Sequence, residues 1–392
     1  VNEIKSEPLS LSTQAAQALG WVEPGFGGIV PPIYMASSYE RDETGRYPGN
    51  HSYTRDQNPS FDQAEALLAS MEGGSACMLF ASGMAAATSI FEVLAPSAHV
   101  VIPKKMYFAI RMWLQRLAAK GRIRLSQVDH HDLEGLTQLM EIDPFDLMWI
   151  ETPANPSSEI IDIRAWTEVA HQGGAKVVAD NTLATPVLTR PLDYGVDLVM
   201  HSASKQLNGH GDVVAGALVT AKQDKFWEDL QFERGYRGAI VSPTASWLLL
   251  RGMRTLHLRV PASAASALRI ANFLEAQSMV ESVLYPGLES HPEHYLAKQQ
   301  MQEGFGYVVT FALRGGEKEA RHFISNLKLF KNASSLGSVE SQAELRALTE
   351  GEASIIKSNL IRLSVGIESC DDLIHDLERA FFSSSDRCHG SK

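Results

Sequence analysis

Between residues 51 and 245 six short apolar runs, "SACMLFAS", "AHVVIP", "FDLMWIE", "AKVVADN", "DLVMHS" and "GALVTA", alternate with amphipathic stretches. Apolar runs of this length, bounded by turn residues, read as strands buried on both faces. Strands separated by helical stretches need crossover connections, so the pattern predicts an α/β fold with a mostly parallel central sheet covered by helices. A sheet of that kind presents ligand-binding residues at the C-terminal ends of its strands.

The flanks read differently. Residues 1–50 are rich in Gly, Pro and Ser, as in "EPGFGGIVPPIYMASSYE", which predicts an extended arm with little core of its own, suited to reach a neighbouring subunit. From residue 246 to 392, a helix at "ASALRIANFLEAQ", strands at "GYVVTFAL" and "NLIRLSVGI" and a last helix at "CDDLIHDLERAFF" predict a smaller α+β C-terminal domain. The tail "SSSDRCHGSK" reads as disordered. A chain of 392 residues, 44% hydrophobic, is long enough for two such domains.

A formal net charge of −11 argues against nucleic acid or an acidic membrane as the principal partner, and leaves room for a small anionic ligand in a locally basic cleft. Cys77, Cys370 and Cys388 are odd in number and show no CxxC or metal spacing, which suits a reducing compartment, and the cytoplasm is the expected location. The N-terminal stretch lacks the basic-then-apolar pattern of a secretory signal, and no apolar run approaches the roughly 18 residues of a membrane span.

Lys205 follows the run Leu198–Met200 within "DLVMHSASKQLNGHGDVVAGALV". An amine at the rim of a packed core is partly desolvated, which lowers its pKa and exposes the neutral, nucleophilic form that a Schiff-base lysine needs. A lysine in a loop is by itself more often only a surface residue. Asp180 closes the strand "KVVAD", where a carboxylate can keep a heteroaromatic nitrogen protonated, although "ADNT" is also an ordinary turn. A lysine adduct with an aldehyde and an Asp facing a pyridinium nitrogen together point to pyridoxal phosphate. In "FASGMAAATSIFEVL" a strand runs into a helix through Ser82, and the amides of Gly83 and Met84 would face an anion at the helix N-terminus. Ser202 and Ser204 could donate to the same phosphate. In "LIRLSVG", Arg362 and Ser364 share one face of a strand and Leu363 and Val365 the other, so Arg362 could grip a carboxylate or merely face solvent.

The segments "YTRDQNP", "ASGMAA", "ETPANP", "VADNT", "HSASKQLNGHGDVVAGALV", "SLGSVES" and "LIRLSVGIE" agree in order and spacing with one family. Over almost its whole length the chain resembles the Cys/Met-metabolism pyridoxal-phosphate enzymes, which include cystathionine γ-synthase, cystathionine γ-lyase, methionine γ-lyase and the O-acylhomoserine sulfhydrylases. The resemblance implies the pyridoxal-phosphate-dependent transferase fold of type I and γ-replacement or γ-elimination on O-acylhomoserine or sulfur amino acids. It makes Lys205 the Schiff-base lysine, Asp180 the partner of the pyridine nitrogen and Tyr107 the tyrosine that stacks on the cofactor ring. The phosphate ligands would be Ser82 with the amides of Gly83 and Met84, then Ser202 and Ser204, joined by Tyr53 and Arg55 from a neighbouring subunit. Asn155, Ser335 and Arg362 would bind the substrate carboxylate. A homotetramer built as a dimer of dimers is implied.

Departures from the family pattern fall around the substrate. Ser334 and Ser52 stand where enzymes acting on cystathionine commonly carry glutamates, Ala109 replaces the cysteine of typical methionine γ-lyases, and Leu336 replaces the tryptophan of bacterial β-lyases. The stretch between "SLG" and "LIRLSVG" is short and lacks "MTHA". Rival readings are weaker. Ser202 to Lys205 forms an S-x-x-K motif, but the S-D-N and K-T-G elements of serine acyl-enzymes are missing. A catalytically silent member of the fold sits badly with intact Lys205, Asp180 and Tyr107. "DHHD" at 129–132 and "HPEH" at 291–294 show no coherent ligand set in sequence and read as surface histidines, with no metal expected.

Overall fold

The computed structural model describes residues 9–351 and 356–385. Seven strands make the large sheet: β1 (Ala76–Phe80), β2 (Ala98–Pro103), β3 (Ile123–Val128), β4 (Leu147–Glu151), β5 (Lys176–Asp180), β6 (Leu198–His201) and β7 (Gly216–Thr220). Their order is β1-β7-β6-β5-β4-β2-β3, with every neighbouring pair parallel except those that β7 makes. Because β7 runs against both β1 and β6, the other strands point the same way and discharge their loops at one edge. The six apolar runs are all strands of this sheet. β3, "IRLSQV", escaped the sequence reading because it is an edge strand in which only the two end residues are buried.

Helices cover both faces. One face carries a core that includes Leu67, Leu79, Val101, Ile150, Val177 and Val199, and the other a core around Phe80, Phe91, Val100, Trp149 and Leu218. Burying alternate residues of the same strands on opposite faces is why those strands read as continuous apolar runs.

A second sheet has five strands, β8 (Val280–Leu284), β9 (Val308–Leu313), β10 (Lys331–Asn332), β11 (Gln342–Leu345) and β12 (Leu360–Ser364), in the order β10-β11-β12-β9-β8. The final helix, Cys370–Ser385, helps cover it through Leu373, Leu377, Ala380 and Phe381. Three residues at the start of the expected disordered tail, 383–385, thus belong to a helix, while 386–392, with Cys388, lie outside the described residues. The core of this sheet begins at Ala267, midway along the helix Leu256–Glu275, whereas Leu249, Leu250, Met253 and Val260 pack into the first core. The two cores therefore meet inside a continuous helix.

The N-terminal arm is irregular over most of its length but not wholly extended. Leu11–Ala16 is a helix capped by Ser10, and Ala15 and Ala18 enter the first core. Beyond it, Phe26, Ile29 and Met35 are 99%, 75% and 71% exposed. Among the described residues no helix is long and apolar enough to cross a membrane.

Candidate active site

The common edge of the large sheet opens into a cavity of about 480 Å³ lined by residues from the ends of β1, β4, β5 and β6 and by the β11–β12 region of the second sheet. Lys205 lies in a compact turn after β6: its amide donates to the Ser202 carbonyl at 3.1 Å and its carbonyl accepts from Gly209 at 2.8 Å. Beneath the turn, the buried Arg259 guanidinium donates to the Gln206 carbonyl at 2.8 Å and the Gly252 carbonyl at 2.7 Å. Gly209, at φ +77°, must lack a side chain, since a Cβ would stand 1.9 Å from Arg259 Nη1. From the other side Gly337, at φ +80°, lets the Ser335–Gly337 segment close on the turn, where a Cβ would meet Gln206 N at 2.7 Å.

Lys205 Nζ donates to Ser335 Oγ at 2.6 Å. Burial, with the positive charges of Arg362 and Arg346 acting the same way, pulls its pKa down to about 8 against the opposing pull of Glu344. The reason for a lysine at the rim of this core is thus visible: the site disfavours its charge without denying it a partner.

Asp180 and Glu151 end adjacent parallel strands in register. Burial raises the pKa of both, to about 8 for Glu151, where the neighbouring Asp180 charge adds to the effect. Asp180 Oδ1 accepts the Thr182 amide at 3.0 Å, a turn that "ADNT" announces. Glu151 accepts the amides of Tyr107 at 2.7 Å and Asn155 at 2.9 Å, and so fixes the loops that carry both residues. Burying two neighbouring carboxylates in one site penalises ionising both. A cationic ring nitrogen against Asp180 would favour its ionised form, and Glu151, raised to about 8, would keep the proton.

Arg362 is 2% exposed and lies on the cavity face of β12, with Leu363 in the core behind it. Its Nη1 donates to Asn155 Oδ1 at 3.0 Å, while Nη2 donates to the Ser335 carbonyl and to Glu344 Oε2. The same Glu344 oxygen meets Arg346 Nη1 at 3.2 Å, and Arg346 Nη2 meets Glu350 Oε1 at 3.2 Å. Two guanidiniums and two carboxylates balance, and the Nε atoms of both arginines have no partner among the described residues. Glu344, Arg346, Glu151 and Thr182 were not singled out from the sequence. The signal for Glu344 lay in the antiparallel pairing of β11 with β12, which sets it opposite Arg362.

Ser82 caps the helix Gly83–Glu92, its hydroxyl accepting the Ala85 amide at 3.0 Å, so the first amides of that helix have no carbonyl within it to meet. Gly83, Met84, Ser202 and Ser204 all line the cavity. Space is tight behind them: a Cβ on Gly83 would meet Ser202 at 2.8 Å, and one on Gly216 would meet the Ser82 carbonyl oxygen at 2.2 Å. A helix N-terminus flanked by two serines, with an acidic strand end and a lysine facing it across the cavity, fits a phosphorylated pyridine aldehyde. Ser204 Oγ also accepts the Ala215 amide at 3.0 Å, which orients it. Tyr107 lines the cavity at the start of the helix Phe108–Ala119, and burial raises its phenol pKa.

Tyr53 and Arg55 are not brought to this cavity. Tyr53 is 45% exposed, and Arg55 lies over its ring at 5.3 Å and beside Asp56, on the arm side of the chain. The other residues expected at the site, Asn155, Ser335 and Arg362 included, converge on the cavity.

Residues 12–382 match the model of a family described as Cys/Met metabolism PLP-dependent enzyme. The chain is 38% identical over 370 residues to a cystathionine gamma-lyase of Dictyostelium discoideum, covering 92% of this chain and 94% of that one. It is also 38% identical over 376 residues to a cystathionine gamma-synthase of Mycobacterium tuberculosis, covering 94% and 96%. Among solved structures, a cystathionine gamma synthase from Xanthomonas oryzae pv. oryzae in complex with cystathionine superposes with a TM-score of 0.93 at 36% identity, over 97% of this chain and all of that one.

Proposed function

The chain belongs to the Cys/Met metabolism PLP-dependent enzymes, a family of enzymes of sulfur amino-acid metabolism, and within it we propose a γ-replacement of the cystathionine γ-synthase kind. In that reaction the Cγ–O bond of an O-acyl-L-homoserine breaks, the acyl group leaves as a carboxylate and the sulfur of a thiol such as L-cysteine bonds to Cγ. Elimination to 2-oxobutyrate and ammonia at the same site is the second outcome, supported by the similarity to the gamma-lyase.

The observation that carries this reading is the convergence of Lys205, Asp180 and Arg362 on one cavity. Pyridoxal phosphate, held by Ser202, Ser204 and the Gly83 and Met84 amides with Asp180 at its ring nitrogen, would supply an electron sink for charge developing at the substrate Cα. Arg362, which lines the cavity, fixes the α-carboxylate, with Asn155 and Ser335 holding the guanidinium in place. Lys205 Nζ, titrating near neutral pH, takes and returns the proton at Cα, and the Ser335 hydroxyl keeps it aimed between transfers. The Tyr107 phenol, whose pKa is raised, keeps its proton at neutral pH and can give it to the departing group. Arg346 also lines the cavity wall and, with Glu344 and Glu350 offsetting its charge, offers a planar guanidinium that an acyl group ending in a carboxylate, as in a succinyl ester, can engage.

The exposed apolar residues of the arm, and the distance of Tyr53 and Arg55 from their own chain's cavity, favour a homo-oligomer in which these two residues complete a neighbour's phosphate site. A tetramer of two such dimers is the expected assembly.

Mass-spectrometric product analysis with O-succinyl- or O-acetyl-L-homoserine, with and without L-cysteine, tests the reading. Cystathionine formed only in the presence of cysteine supports the synthase. 2-Oxobutyrate alone supports the eliminating reading, and no turnover of either ester contradicts both.

A further inference from the structure

The sequence separates "DHHD" at 129–132 from "HPEH" at 291–294 by some 160 residues, and the fold brings them together. His130 and His131 leave the end of β3, and Glu293 precedes the helix His294–Gln300. His131 Nε2 lies 2.8 Å from Glu293 Oε1, and His130 Nε2 lies 3.8 Å from the same oxygen. Ligand atoms of all three residues fall within 4.8 Å of one another. From these contacts we infer a metal site, formed by His130, His131 and Glu293, for a divalent cation of the zinc class.

Three features separate this cluster from a chance meeting of surface side chains. His130 has an 8% exposed side chain, and its Nε2 is buried with no hydrogen-bond partner among the described residues, so a ring nitrogen is aimed into the cluster, 3.8 Å from Glu293 Oε1 and not bonded to it. A buried polar atom in that state is destabilising unless something occupies its lone pair. The second feature is the support behind that ring. Asp129 Oδ1 lies 3.4 Å from His130 Nδ1 and accepts the His131 amide at 3.3 Å, so one carboxylate both orients the first imidazole and turns the chain to place the second beside it. A carboxylate behind a ligating histidine fixes the tautomer that presents Nε2 to a metal.

The third feature is spacing. Tetrahedral ligands at the usual zinc distances of about 2.0–2.1 Å stand about 3.3 Å from one another. The separations of 2.8 and 3.8 Å straddle that value. Two imidazoles and one carboxylate suit zinc, cobalt or nickel, with water in the remaining position.

The site lies on the same edge of the sheet as the cavity. β3, β2, β4 and β5 are consecutive neighbours, so at about 4.8 Å per strand the cluster lies roughly 14 Å along that edge from Asp180. A bound ion would clip the last strand of the large sheet to the connection between β8 and the helix His294–Gln300. The clipped loop adjoins the segment that leads to Tyr107, since the Lys104 amide donates to the Val128 carbonyl at 2.9 Å.

The test uses untagged holoenzyme, stripped with a chelator, re-equilibrated with Zn²⁺, desalted into metal-free buffer and assayed by elemental analysis. Co²⁺ serves as a spectroscopic probe in a parallel sample. The expected result is about one Zn²⁺ retained per chain, with at least a tenfold loss of affinity in His131→Gln, in Glu293→Gln and in His130→Gln. The Co²⁺ ligand-field bands should disappear in the same variants. His131, whose side chain is 56% exposed, gives a variant that cannot be dismissed as misfolded, and unchanged circular dichroism and cofactor absorbance check the other two. Failure of the wild type to retain metal would reduce the cluster to an ion pair between His131 and Glu293. Retention that survives all three substitutions would place the metal elsewhere, and either result overturns the proposal.

Discussion

Replacing Glu344 by Gln should loosen the grip on the substrate carboxylate without touching the substrate. Glu344 Oε2 contacts both Arg362 Nη2 and Arg346 Nη1, and all three side chains are at least nine-tenths buried. With Glu350 the cluster is neutral, and the substitution leaves a net charge of +1 in a desolvated site. Gross attraction at contact distance is about 5 kcal/mol at an effective dielectric constant near 20. A glutamine keeps an acceptor in place, so the net loss should be about 3 kcal/mol, the lower end for breaking a buried pair. Urea unfolding of the holoenzyme measures that loss. Arg362 also loses the contact that aims it, and the KM for the amino-acid substrate should rise about tenfold, the value of one charge-assisted hydrogen bond. Glu344 is the carboxylate that holds the Lys205 pKa up, so its loss should also move the Lys205 titration below about 8. Unchanged stability together with an unchanged KM would refute the bridging role.

Other consequences follow from the same geometry. Arg346→Met should raise KM for the O-succinyl ester about tenfold more than for the O-acetyl ester, and equal effects on both would remove Arg346 from recognition of the distal carboxylate. Gly216→Ala places a Cβ 2.2 Å from the Ser82 carbonyl oxygen, so the phosphate cradle must shift by roughly 1 Å and cofactor affinity, read by equilibrium dialysis, should fall at least tenfold. Reloading of the apoenzyme needs the neutral Lys205 amine; with a pKa of about 8 the rate of cofactor uptake should rise about tenfold per pH unit below pH 8 and level off above it. A limb that continues to rise toward pH 10 would mean the lysine is not desolvated. Arg55→Ala should weaken cofactor retention although Arg55 lies away from its own chain's cavity, and unchanged affinity would count against a shared site.

Strands buried on both faces announced themselves as apolar runs because both cores draw on alternate residues of the same segments. β3 and β8 did not, since "IRLSQV" and "VESVL" each keep positions in water. Lys205, Asp180 and Arg362 were legible because each stands in a local motif whose neighbours state its setting: a buried strand before the lysine, a turn after the aspartate, an alternating strand around the arginine. Glu344 and Arg346 carry no such local mark. Their role arises from the pairing of β11 with β12, which no spacing along the chain displays. The same is true of His130, His131 and Glu293, which looked like unrelated surface residues until the end of β3 met the segment after β8. Arg259 was hidden in the same way, since the carbonyls it holds belong to a turn about 50 residues earlier.

The central claim is that Lys205 anchors the cofactor in this cavity. Borohydride reduction of the holoenzyme, followed by proteolysis and peptide mass spectrometry, tests it most directly. The expected product carries one pyridoxyl group per chain, on Lys205 in the peptide containing "HSASK", with loss of the visible absorbance. A label on a different lysine, or none, would contradict it.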